Sequence, residues 1–269
     1  MTGVILLETL RREWRQPIYW GLGLGVLGLM MFIFIPDVDA LQQYADLIET
    51  LPPALMQMFG VEDASEVATP AGFLAFGYYA SVTLIVAAYA VYTGLKITAN
   101  EEENGSLDMI MSQPVTRTRV LLEKFAAYSV ICALLILVSH LGLEFGRITS
   151  PVIAIDGGLM LQTSLNLLPA MLLVLAVTAL AAVSLPRRGW AAGVAAAFVG
   201  LSYFIDFLGS EASETVIAAL RPVSFFTYAD SGAVIQTGLV PANVLLLVVA
   251  AALIMAGALW FFRRRDLSL

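Results

Sequence analysis

Side chains able to do chemistry are scarce in this 269-residue chain, and their spacing argues against most of that chemistry. The only histidine, His140, is followed one helical turn later by Glu144. Two donors could begin a metal site, but a catalytic zinc takes three protein ligands. Glu101, Glu102 and Glu103 are consecutive, so a helix splays them over roughly 200° instead of converging them on one ion. No serine stands in a G-x-S-G setting, and no G-x-x-x-x-G-K-[S/T] phosphate loop occurs. An intramembrane protease is therefore poorly supported, no metal site is expected, and ATP binding by this chain is not expected. Cys132 is alone, which excludes a disulfide within the chain and favours a packing role. His140, Glu144 and Asp206 remain as ionisable groups in or beside apolar stretches, where such groups are functional candidates by default. For His140 and Glu144, a proton- or substrate-linked role stands beside a plain hydrogen bond near the surface.

The elements that must position these groups follow from composition. Hydrophobic residues make up 59% of the chain, charged residues 13%, and the mean hydropathy is +0.86. Soluble domains average roughly 45–50% apolar and about 25% charged residues, so the excess must face lipid. Six stretches of about 20 residues are long enough to cross a hydrocarbon core of about 30 Å. They lie near Ile18–Pro36, Gly72–Thr98, Glu123–Phe145, Leu165–Leu185, Trp190–Leu208 and Pro241–Phe262. Lipid offers backbone groups no partner and the alternation of a barrel is absent, so all six should be helices. The first apolar run is too long for a signal peptide and lacks a small-x-small cleavage site, so it is expected to stay as a span. The chain reads as an all-α polytopic membrane protein, a single transmembrane domain over residues 1–269.

Lys and Arg set its orientation. With both termini in the cytoplasm, twelve basic residues fall on the inner segments and only Arg147 and Arg221 on the outer ones. Residues 2–16 form an amphipathic interfacial helix, with Leu7, Leu10 and Trp14 on one face and Glu8, Arg11, Arg12 and Arg15 on the other. Pro17 is expected to break it. Arg263, Arg264 and Arg265 close the last span as an inner-headgroup anchor. In the first outer loop, Leu41, Tyr44, Ile48 and Leu51 keep helical spacing, which predicts a surface helix. The last outer connection, 209–240, is long enough to dip back into the membrane. Pro186–Gly189 is so short that the fourth and fifth spans must be antiparallel neighbours.

One polar interruption differs from the rest. Residues 100–124 carry an acidic run and a basic end between two spans. Gly105 offers a break or hinge after the glutamates. Leu107, Ile110 and Met111 then share one face, with Asp108 on another. Pro114 ends this short helix, and Thr116 is a plausible N-cap for the third span. The product is a docking element with apolar knobs and a charged rim.

The run Glu102-Glu103-Asn104-Gly105-Ser106-Leu107-Asp108, then Pro114-Val115-Thr116-Arg117, then Leu122-Glu123-Lys124, resembles the signature loop of ABC transporter permeases of the type-two exporter superfamily. The N-terminal amphipathic helix, Leu51-Pro52-Pro53-Ala54-Leu55, Pro222 with its aromatics and Phe262-Arg263-Arg264-Arg265 agree in order along the chain. Glu123 departs from the Gly or Ser more usual there. The resemblance implies a multi-pass protein of a prokaryotic plasma membrane that pairs with a second permease copy or homologue. It also implies separate ATPase subunits that bind ATP and Mg, this chain having no cofactor of its own. Residues 100–116 would be the coupling segment, with Glu101, Glu102, Glu103, Gly105, Ser106, Leu107, Asp108, Ile110, Met111, Pro114 and Arg117 at the ATPase contact. The second and fifth spans would meet near the dimer axis. A stand-alone secondary transporter is the alternative; it would need charged or broken helices near the midplane, where these spans carry almost none.

Overall fold

The computed structural model describes residues 3–34, 38–50, 68–105, 112, 115–150, 155–211 and 216–264. Among them every regular element is helical, and six helices are long and apolar enough to cross a membrane. These are α2 (Arg15–Phe34), α4 (Pro70–Leu95), α6 (Arg117–Thr149), α7 (Gly157–Ser184), α8 (Arg188–Glu211) and α11 (Pro241–Arg264). Shorter helices complete the set: α1 (Val4–Glu13), α3 (Val38–Glu49), α5 (Ala99–Glu103), α9 (Val216–Leu220) and α10 (Ser231–Thr237).

Helix α7 is the hub: 72% of its apolar window is buried, against 22% for each of α8 and α11, which leave broad faces for lipid or a partner. It begins at Gly157, eight residues before the Leu165 boundary that hydropathy suggests. Gln162, Ser164 and Asn166 lower the local hydropathy, yet Ser164 and Asn166 are buried, and Gln162 accepts a hydrogen bond from Leu239 N at 3.0 Å. The Ser164 hydroxyl meets Tyr79 and His140 from other helices, partners that a hydropathy window cannot see. The Asp156 carboxylate caps the new start by accepting from Leu159 N at 2.8 Å. The break after α1 also moves. It falls at Trp14, and Pro17 sits in the first turn of α2, where its missing N–H belongs to a group that has no intrahelical partner anyway.

Helices α2 and α6 run side by side in the same direction, and glycines set their spacing. A Cβ on Gly142 would run into the Gly25 backbone, and one on Gly21 would stand 2.7 Å from Val138 Cβ. Without a hydrophobic drive between helices in lipid, such close backbone approach supplies the van der Waals contact that holds them. Helix α3 confirms the outer-loop periodicity: Leu41 and Ile48 are buried, and Tyr44 meets Phe73 edge-on at 5.4 Å. Leu51 and Ala54–Phe59 lie outside the described residues. The 209–240 connection does turn inward. Phe225 is buried and stacks on Phe198 at 5.6 Å, while Ser224 Oγ donates to Ser202 O at 2.7 Å. Phe198 lies thirteen residues before Glu211, so the segment reaches about 20 Å down α8.

Replacing Gly142 with Val should lower the unfolding temperature in detergent by the equivalent of about 1–3 kcal/mol of overpacking, whereas Gly257→Ala, where a Cβ meets nothing, should leave it unchanged.

Candidate functional site

The start of α1, the end of α11 and the Lys- and Arg-bearing ends of several spans gather at one end of the bundle, and a belt of polar contacts ties them together there. Its deepest member is Lys124, in the second turn of α6, whose side chain is only 4% exposed. An ammonium that deep needs a counter-charge, and Glu101 on α5 supplies it as a direct ion pair. Two residues further along α5, Glu103 Oε2 lies 3.3 Å from Arg188 Nη1 at the start of α8. Helix α5 is thus held on one side by the third span and on the other by the fifth. Gly105, at φ 67°, takes the left-handed conformation and ends the short helix. The Glu101–Glu103 splay expected from helical geometry is what sends the first and third carboxylates to different partners.

Helix α1 is tied at both ends to the same belt. Gly3 occupies its N-cap and has no side chain to cap the free N–H groups. Glu123, the neighbour of Lys124, does so from α6. Its carboxylate accepts from Gly3 N at 2.9 Å, Ile5 N at 2.9 Å and Leu6 N at 3.2 Å, and Arg119 Nε donates to it at 2.7 Å. At the other end Glu13 pairs with Lys96, just beyond α4, at 2.9 Å. Arg117 Nη1 donates to Phe262 O near the end of α11 at 3.4 Å, and the Thr116 side chain caps α6 by accepting from Arg119 N at 3.4 Å. The role of Glu123 was hidden in the sequence, because a cap supplied from 120 residues away leaves no local pattern.

Other expected site residues fall as follows. Ser106, Leu107, Asp108, Ile110, Met111 and Pro114 lie outside the described residues, as does Arg265. Arg11, Arg12, Trp14, Arg15, Arg263 and Arg264 are exposed, and the Arg264 guanidinium stands 4.2 Å from the Trp260 ring centroid. Near the opposite end, His140 and Glu144 take different partners: His140 Nδ1 meets Ser164 Oγ at 3.0 Å, and Glu144 accepts from Arg147 Nε at 2.8 Å. Ser164 also meets Tyr79 OH at 3.0 Å, from a π-helical turn of α4 at Ala75–Tyr79. Asp206 accepts from Thr227 Oγ1 at 2.7 Å and faces Arg221 Nε at 3.5 Å, which fastens the inward-turning segment to α8. Among the described residues no cluster of His, Cys, Asp and Glu could hold a metal.

Six apolar helices of membrane-spanning length, with a polar belt fastening one end, make the architecture of a multi-pass membrane protein. The family model described as "Multidrug efflux system permease Rv1217c, C-terminal domain" matches residues 9–263, almost the whole chain, and the protein belongs to that family. No curated protein matches it closely enough to name as a relative.

Glu123→Ala should cost about 1–2 kcal/mol of stability, the value of a lost helix cap, and should speed tryptic cleavage at Arg11 and Arg12 in the native protein.

Proposed function

We propose that this efflux permease is the membrane-spanning subunit of an ATP-driven exporter of the type-two ABC superfamily. The basic end faces the cytoplasm, and residues 100–116 form the coupling segment that an ATPase subunit grips. The observation that carries this reading is the double tether of α5. Glu101 binds it to Lys124 of the third span, and Glu103 binds it to Arg188 of the fifth. A push on the segment would therefore move two spans at once. A solvated connector would have no need of a buried lysine to hold it. The glutamates then serve mainly inward, toward the bundle, and Leu107, Ile110 and Met111 are left as the apolar knobs for the ATPase cleft, since apolar anchors dominate such interfaces.

A second membrane body completes the pathway in this reading. On α8, Ala192, Ala196 and Gly200 follow one another at four-residue spacing. A Cβ on Gly200 would meet nothing within 4 Å, in contrast to the glycines that α2 spends on α6. Small residues at that spacing let two helices approach closely in lipid. We assign the face to a second copy or a homologue. The cargo is a lipophilic molecule that enters among the apolar spans, in keeping with the efflux family.

Leu107→Asp should abolish co-purification of the ATPase and the transport-coupled part of ATP hydrolysis while the permease still reaches the membrane; unchanged coupling would remove the docking role. Gly200→Phe should convert a dimer to a monomer by light scattering in detergent with no loss of melting temperature.

A further inference from the structure

A cavity of about 770 Å³ opens at the basic end, between α5, the turn joining α7 to α8, and the first three turns of α8. Its inner wall is apolar, made by Ala182 of α7 with Trp190, Val194 and Ala197 of α8. Trp190 to Ala197 is seven residues of helix, so the wall descends about 10 Å below the lip. The lip carries charges of both signs: Glu102 and Glu103 on α5, Arg187 in the turn and Arg188 at the start of α8. Arg188 and Glu103 approach each other across it at 3.3 Å.

We propose that this cavity is a binding site for a zwitterionic, primary-amine phospholipid of the phosphatidylethanolamine type. The cavity is too deep and too apolar for a headgroup alone, and the descending wall of Val194 and Ala197 matches the first part of an acyl chain. Trp190, 64% exposed at the lip, stands where amphipathic rings mark the boundary between headgroups and hydrocarbon. Arginine guanidinium groups are matched to phosphate oxygens through paired N–H donors, which gives Arg187 the phosphate. The ammonium, with three N–H donors, then turns to the carboxylates of α5. A headgroup that is only anionic carries the same phosphate but sets no cation against Glu102 and Glu103. A trimethylated ammonium has no N–H to give them. An unbalanced carboxylate charge with the one lipid and a lost N–H donor with the other are what would select phosphatidylethanolamine. The site is independent of the ATPase reading, because it needs only the six-span bundle in a bilayer. Its position between α5 and α8 would wedge the lipid beside the Arg188–Glu103 contact.

The test uses the full-length chain purified in detergent and stripped of lipid, with phosphatidylethanolamine, phosphatidylcholine or phosphatidylglycerol added back. Native mass spectrometry should show a single retained phosphatidylethanolamine per chain, with saturable thermal stabilisation, and binding of the other two about tenfold weaker. The double variant Glu102→Gln with Arg187→Gln should lose that preference. Val194→Trp, which fills the apolar wall and keeps the charged lip, should lose the retained lipid. Melting without added lipid reports that each variant is folded. Equal binding of all three lipids, a preference for phosphatidylglycerol, or a preference that survives in both variants would overturn the proposal.

Discussion

A lysine buried at the foot of a membrane span is tolerable only beside a carboxylate, and this constraint organises the basic end of the permease. Removing one partner of such a pair strands a charge and costs about 3–5 kcal/mol, so Lys124 demands Glu101. Once Glu101 is held, the short helix that carries it has a fixed place against α6. Glu103 then falls within reach of Arg188, and the chain leaves through the left-handed Gly105. On the adjacent residue, Glu123 fastens the N-terminus of α1. Consecutive residues of α6 therefore hold two separate elements, and both belong to the end we assign to the cytoplasm. Contacts of α1 with Lys96 and of Arg117 with Phe262 bring the second and last spans into the same belt.

The opposite half of the bundle is held in another way. Glycines let α2 lie against α6 backbone to backbone, and the polar groups of α4, α6 and α7 meet one another through Tyr79, His140 and Ser164. These contacts are short-ranged and within the bundle, whereas the belt reaches segments outside it. In the function we propose, a force applied to residues 100–116 would enter through these ion pairs and meet a body packed by small residues and hydrogen bonds. The outward faces of α8 and α11 are left largely uncovered by the rest of the chain.

Features written in local composition were legible in the sequence. Length and hydropathy found six spans, basic residues grouped one set of ends, and the spacing of Leu41, Tyr44 and Ile48 found α3. Gly105 was readable as a break because only one residue type takes φ 67° at little cost. Contacts made across the fold were not legible. Gln162, Ser164 and Asn166 shortened the apparent fourth span because Ser164 and Asn166 are buried inside the bundle and the partners of Gln162 and Ser164 come from other elements. Glu123 looked like a mere departure from a family pattern, since its three N–H donors lie some 120 residues away. His140 and Glu144 looked like a pair by spacing, but each has a better-placed partner in Ser164 and Arg147. The 100–116 segment was legible only as a resemblance to a family motif, and the ion pairs that hold its first residues, Glu101 to Lys124 and Glu103 to Arg188, were not legible at all.

The central claim is that ATP-driven force enters the bundle through the Lys124–Glu101 pair. A charge swap tests it most directly, with ATP hydrolysis and drug transport measured together in proteoliposomes that contain the permease and its ATPase. Lys124→Glu and Glu101→Lys should each uncouple hydrolysis from transport, and the two together should restore coupling. Single variants that transport as well per ATP as the unaltered protein, or a double variant no better than either single one, would contradict the account.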